Sequence, residues 1–203
     1  MRTSTKLILA TLLSCAGLAA AGSALAADTY YAGASIGARS SYNLDCQTGM
    51  ACDRMGHGSG KIYAGDELGA VPGLDDAVTG ALEVMAYTAG DGKAAFHTAT
   101  GIAQGSGKMR GVGVDYRAAC KVSEDFSLTS RIGAGYTKGT VSYANGGGTD
   151  SKNALGLMYG LGVSYALNKN VSLHADWDHL PVKFSASQSA KVNLFSVGAT
   201  YSF

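Results

Sequence analysis

The sequence predicts an all-β protein: an eight-stranded antiparallel up-and-down transmembrane β-barrel over residues 27–203, behind a cleaved signal peptide at residues 1–26. Three observations predict it. The chain opens with an export leader, its remainder alternates apolar and small polar residues with period two, and its connections alternate between short and long.

Composition narrows the class before any element is placed. Of 203 residues, 29 are glycine and 15% are charged, against about 7% glycine and roughly 25% charged in an ordinary soluble protein. The 46% hydrophobic share and near-zero net charge exclude a disordered chain. Two prolines and the absence of a Gly-X-Y period exclude a collagen-like one. A formal charge of +1 supplies no bulk field for nucleic acid or acidic substrates, and no basic stripe interrupts the pattern.

The leader is read from its flanks. Arg2 and Lys6 form a positive start, Leu7 to Leu18 is apolar, and Ala24-Leu25-Ala26 is an A-x-A site, so cleavage is expected between Ala26 and Ala27. The leucine-rich part is shorter than the ~20 residues of a spanning helix. Leu12-Leu13-Ser14-Cys15 loosely resembles a lipoprotein box, but using it would leave the better site at Ala26 idle. Losing Arg2 and Lys6 takes Lys+Arg from 16 to 14 against 15 acids, a mature charge of −1.

Strict alternation then predicts strands over Thr29–Ser41, Gly60–Leu68, Thr79–Ala89, Met109–Cys120, Phe126–Lys138, Asn153–Leu167, Val171–His179 and Lys191–Phe203. In the seventh, Val171, Leu173, Ala175 and Trp177 oppose Ser172, His174, Asp176 and Asp178. Such runs match the ~9–11 residues of a tilted membrane strand. Short turns are expected at Lys121–Asp125 and Asn168–Asn170. Long loops are expected at Tyr42–Ser59, Gly90–Lys108, Gly139–Lys152 and Leu180–Ala190. The Gly69–Val78 connection, with Pro72 and two aspartates, exceeds a tight turn and has room for a helical one.

Sidedness follows from the polar face. It carries glycine, serine, threonine and a few charges instead of the Lys/Glu surface of a soluble barrel. Small residues suit the cramped interior of eight strands, so the apolar face is expected to meet outer-membrane lipid. Parity then gathers Arg39, Lys61, Arg117 and Arg131 against Glu83, Asp115, Asp176 and Asp178 in the lumen. This balance of four and four is what a buried, ion-paired plug requires. A gated ion path through the same charges is the functional alternative.

Other chemistry is sparse. Export favours a Cys46–Cys52 disulfide, whereas a metal site of Cys46, Cys52 and His57 lacks a fourth ligand. Cys120 is left as an unpaired thiol on an apolar face. Ser172, His174 and Asp176 share a strand face, but neighbours at i, i+2 stand about 7 Å apart and do not assemble a triad. His57, His97 and His179 carry no signature, and the Gly33–Gly37 glycines precede no helix. No cofactor is expected. Arg54 and Met55, beside the cysteine pair, are the best candidates for a loop contact patch on an unidentified surface ligand.

Four segments carry a family likeness: Tyr30-Tyr31-Ala32-Gly33-Ala34-Ser35-Ile36-Gly37, Ala81-Leu82-Glu83-Val84-Met85-Ala86-Tyr87, Tyr159-Gly160-Leu161-Gly162-Val163-Ser164-Tyr165 with its Asn-Lys-Asn turn, and Phe195 to Phe203. In this order and spacing the chain resembles the OmpA/OmpX-like eight-stranded outer-membrane β-barrels over residues 29–203. The resemblance implies a Gram-negative-type outer-membrane location. It also implies a non-enzymatic role in envelope integrity or loop-mediated surface contact, with a small-solute channel or a lipid-modifying enzyme as alternatives. It maps the signal read by the outer-membrane assembly machinery onto Tyr201 and Phe203. Asp66, where such strands usually carry an aromatic, and the Gly69–Val78 connection depart from the pattern.

Overall fold

The computed structural model describes residues 29–42, 55–74, 77–98, 101–144, 148–184 and 189–203, with side chains omitted at 29, 55, 94–98, 101–103 and 189–190. The signal peptide with Ala26 and Ala27, the Cys46 and Cys52 pair and the Arg54/Met55 patch lie outside the described residues or side chains. Eight strands form the wall: β1 (Thr29–Tyr42), β2 (Met55–Ala70), β3 (Val78–Thr98), β4 (Gly101–Lys121), β5 (Phe126–Tyr143), β6 (Thr149–Ala166), β7 (Val171–Lys183) and β8 (Ser189–Ser202). Each pairs antiparallel with the next, and β1 closes on β8 from Tyr31↔Ser202 to Tyr42↔Val192. Closure leaves no open sheet edge around the ring.

The wall is inverted through its middle. Ile36, Ile62, Val84, Val112, Leu155, Leu157 and Val197 are exposed on the outer face, while Lys61, Glu83, Asp115, Arg131, Asp176 and Asp178 are buried inside. Residues that alternate along each strand therefore sort by lipid and lumen, as the sidedness argument requires.

At the turn end, local chemistry closes the hairpins. Pro72 and Gly73 take the two central places of a turn in which the Leu74 amide donates to Val71 O at 3.1 Å. Gly73 has φ +84°, which only glycine adopts freely. This turn, with no helix among its described residues, fills the long Gly69–Val78 connection, and β2 continues to Ala70. Between β6 and β7, Asn168 Oδ1 accepts from the amides of Asn170 and Val171, both at 2.9 Å, an Asx turn.

The loop end departs from expectation. The spans predicted as loops at Gly90–Lys108 and Leu180–Ala190 are largely strand: β3 and β4 run 21 residues each, paired from Val78↔Cys120 to Thr98↔Gly101. About ten residues cross a bilayer, so roughly half of this hairpin stands beyond it. Pro181 is tolerated inside β7 because the register to β6 ends at Tyr159↔His179, while that to β8 continues to Lys183↔Ser189. Proline belongs on such one-sided stretches.

Above the charged level the interior turns apolar. Tyr42, Met109, Val141, Leu180, Val182, Phe184, Val192 and Leu194 are buried together in one core cluster. Near this level two bulges shift the register, at Ile36/Arg39 between β1 and β8 and at Ala89/Gly92 between β3 and β4. An extra residue reverses parity, so β1 points Tyr31 and Ser35 inward below the bulge but Ser40 and Tyr42 inward above it.

Candidate functional site

The lumen at mid-height is the chemically richest part of the described structure. Lys61 on β2 reaches across to β7, with Nζ 2.8 Å from Asp176 Oδ2 and 2.7 Å from Asp178 Oδ2. Arg131 on β5 approaches the same pair from the other side, Nη1 to Asp178 Oδ1 at 3.2 Å and Nη2 to Asp176 Oδ1 at 3.5 Å. Two cations and two carboxylates thus form a lattice spanning three non-adjacent strands. Glu83 Oε1 lies 3.9 Å from Arg131, and its Oε2 accepts the Tyr31 hydroxyl at 3.1 Å.

Glycines make this crowding possible. Gly160 and Gly162 stand in register with Asp178 and Asp176, and a Cβ on either would run into those carboxylates. Tyr31 and Tyr63 lie over the cross-strand partners Gly65 and Gly33, where a side chain would overlap the rings. The small residues on the polar face of the sequence are therefore room for large neighbours.

Seven of the eight expected lumen charges face inward and one does not. Arg39 is exposed on the outer wall, opposite Phe195, because the Ile36/Arg39 bulge reverses the parity on which its placement rested. Arg117 is half-buried inside, its guanidinium 5.6 Å from the Tyr31 ring centre. Of these eight, the lumen therefore holds Lys61, Arg117 and Arg131 against Glu83, Asp115, Asp176 and Asp178, three against four. Asp115, 2% exposed and directly opposite Glu83, has no hydrogen-bond donor on either oxygen. A buried carboxylate without a donor is costly, and this one adjoins a second carboxylate.

His174 sits toward the turn end. The Tyr63 hydroxyl is 3.2 Å from its Nδ1 and shares a 2.6 Å hydrogen bond with Thr200, and Asp176 Oδ2 lies 3.5 Å from Nε2. These partners satisfy the ring from both sides, as an interior polar cluster does. Cys120 is half-buried on β4 and unpaired among the described residues. Tyr201 and Phe203 are exposed on the outer wall with their rings edge to face at 5.2 Å.

Sequence reasoning missed the apolar storey above. Its signal was present: Leu180, Val182 and Phe184 continue the even-numbered face that carries Asp176 and Asp178. Tyr42 is anchored there by donating its hydroxyl to Gly90 O at 2.6 Å, and burial pushes that hydroxyl above the usual tyrosine range.

Comparison with known proteins agrees with this architecture. The family model for the outer membrane protein beta-barrel domain matches residues 7–203. Among solved structures, the neisserial surface protein NspA aligns at a TM-score of 0.56 and 18% identity, covering 86% of this chain and 97% of that one. Ail of Yersinia pestis aligns at 0.52 and 18%, covering 88% and 100%. A major outer membrane protein of Thermus thermophilus aligns at 0.51 and 16%, covering 88% and 100%. No curated protein sequence matches the chain.

Proposed function

Because the chain belongs to the outer membrane protein β-barrel domain family, we propose that it is a non-enzymatic structural barrel of the outer membrane, with a closed lumen and loops held at the surface. One observation carries this reading. The Lys61, Arg131, Asp176 and Asp178 lattice crosses the bore, with Leu180, Val182 and Phe184 packed above it. A solute would have to break buried ion pairs and then pass an apolar layer, and eight strands leave little bore besides.

On this reading residues 1–26 export the chain, Tyr201 and Phe203 address it to the outer-membrane assembly machinery, and the loop with Cys46 and Cys52 meets whatever the surface encounters. The His174 cluster supports a structural role in preference to catalysis, since Tyr63 and Thr200 already occupy the hydrogen-bonding reach a substrate would need. The test is single-channel recording of the folded protein in planar bilayers, beside His174→Ala and lipid analysis of expressing cells. The closed-barrel reading expects no discrete conductance steps and unchanged lipid composition in both proteins. Stable ohmic steps from the unaltered barrel would replace it with a channel. The excess of Glu83 and Asp115 would then favour cations.

A further inference from the structure

One carboxylate pair stands beside the lattice without its donors. Glu83 and Asp115 are direct cross-strand partners on β3 and β4, 0% and 2% exposed. Three of their four oxygens have no hydrogen-bond partner: Glu83 Oε1 and both oxygens of Asp115. The register explains why no donor reaches them. The flanking strands meet the pair with Gly65 on β2 and Gly133 on β5, and neither glycine has a side chain to offer. Arg131 stays 3.9 Å from Glu83 Oε1 while Asp176 and Asp178 hold it at 3.5 and 3.2 Å. On the loop-end side, buried Met85 pairs with Gly113, and the Met158 sulfur covers that same glycine, so thioethers stand where a donor could.

We propose that Glu83 and Asp115 bind one small monovalent cation, of sodium's size, inside the lumen. Buried carboxylates directly opposite one another repel, and an ion between them removes both that repulsion and the cost of unserved oxygens. Charge sets the valence. Lys61 and Arg131 match Asp176 and Asp178, which leaves Glu83 and Asp115 with Arg117, two negative charges against one positive. A single positive charge closes that balance, and a divalent ion would overshoot it beside Arg131. Calcium, moreover, takes six to eight oxygens where this pair has three to give. A shared proton would join two of the three oxygens and leave the third bare, whereas a metal cation can touch them all. Entry is from the turn end, where Arg117 and Glu67 on the inward face are only half-buried and within reach of water. The site stands whether or not the bore conducts.

The test folds the mature chain into phosphatidylcholine vesicles and follows urea unfolding as sodium chloride replaces choline chloride at constant ionic strength, which holds screening fixed. Sodium is expected to raise the urea midpoint along a saturating curve, and D115N to weaken its apparent affinity roughly tenfold or more. In choline alone D115N should unfold later than the unaltered barrel, and sodium should narrow that lead. E124Q, at an exposed turn, should respond to sodium as the unaltered barrel does. Magnesium at equal ionic strength should leave the midpoint where choline does. If D115N does not fold, E83Q is held to the same expectation. A flat sodium titration of the unaltered barrel overturns the proposal, as does an undiminished response in a folded D115N or E83Q, or an equal rise with magnesium. So does a midpoint that follows pH between about 5 and 8 and ignores sodium, which would put a proton in the site. Conductance steps in planar bilayers would remove the closed-bore reading and leave the sodium dependence untouched.

Discussion

The two storeys of this barrel use one strand face for opposite purposes. Up β7 and one residue past its end the inward side chains read Asp176, Asp178, Leu180, Val182 and Phe184, charged through the bilayer and apolar above it. The outer face changes in step, from Trp177 to Lys183 on β7 and from Tyr136 to Lys138 on β5. The lower storey is a membrane barrel, its polar side turned away from lipid. The upper one is built as a soluble barrel, its apolar side turned away from water. What separates them is the solvent outside the wall. The wall itself is continuous.

Substitutions at named positions break or sharpen this contrast. The largest effect is expected from Arg131→Glu, which turns one of two cations in the lower lattice into a third carboxylate. Breaking a buried pair costs about 3–5 kcal/mol, and reversal should cost at least that. Urea titration in lipid vesicles reads it, and an unchanged midpoint accompanied by new conductance would mean the lattice is a gate and not a plug. In the upper storey, Phe184→Ala should cost about 3 kcal/mol through lost burial and a cavity. A loss under about 1 kcal/mol would show that this storey is not packed as a core. The two substitutions lie in separate storeys, so the double variant should be close to additive.

Smaller effects test the lower storey's fit. Gly33→Val drives a side chain into the Tyr63 ring and should cost about 1–3 kcal/mol. Combining it with Tyr63→Ala should recover part of that loss, and strict additivity in the double-mutant cycle would remove the Tyr–Gly pairing as its cause. Asp115→Asn should have the opposite sign, raising stability by about 1 kcal/mol, because it removes a charge that no donor serves. A destabilised variant would reveal a partner for that carboxylate.

How much of this was legible varies by storey. Every strand core in the membrane was readable, because one lipid-facing residue alternates with one lumen-facing residue and a period of two needs no tertiary information. The lattice was readable as composition, since Lys61, Arg131, Asp176 and Asp178 share the inward parity. Arg39 was not, because a bulge is a property of two strands in register, and the Ile36/Arg39 shift appears only against β8. The upper ends of β3, β4 and β7 read as loops because Gly90, Gly92 and Pro181 are turn residues locally. The tall hairpin and the one-sided run of β7 make them acceptable as strand.

The sequence by itself determined which side chains alternate, and hence that the chain forms a barrel with an oily outside and a charged, glycine-lined inside. The physical reason is that lipid and lumen impose a rule on every second residue, and that rule is written into one strand at a time. Only the tertiary structure decided which charges meet. It paired Lys61 and Arg131 with carboxylates from a strand more than forty residues away, left Asp115 without a donor, and turned Arg39 out of the lumen to face outward beside Phe195. Distances across a closed barrel depend on shear and bulges, and those belong to all eight strands at once.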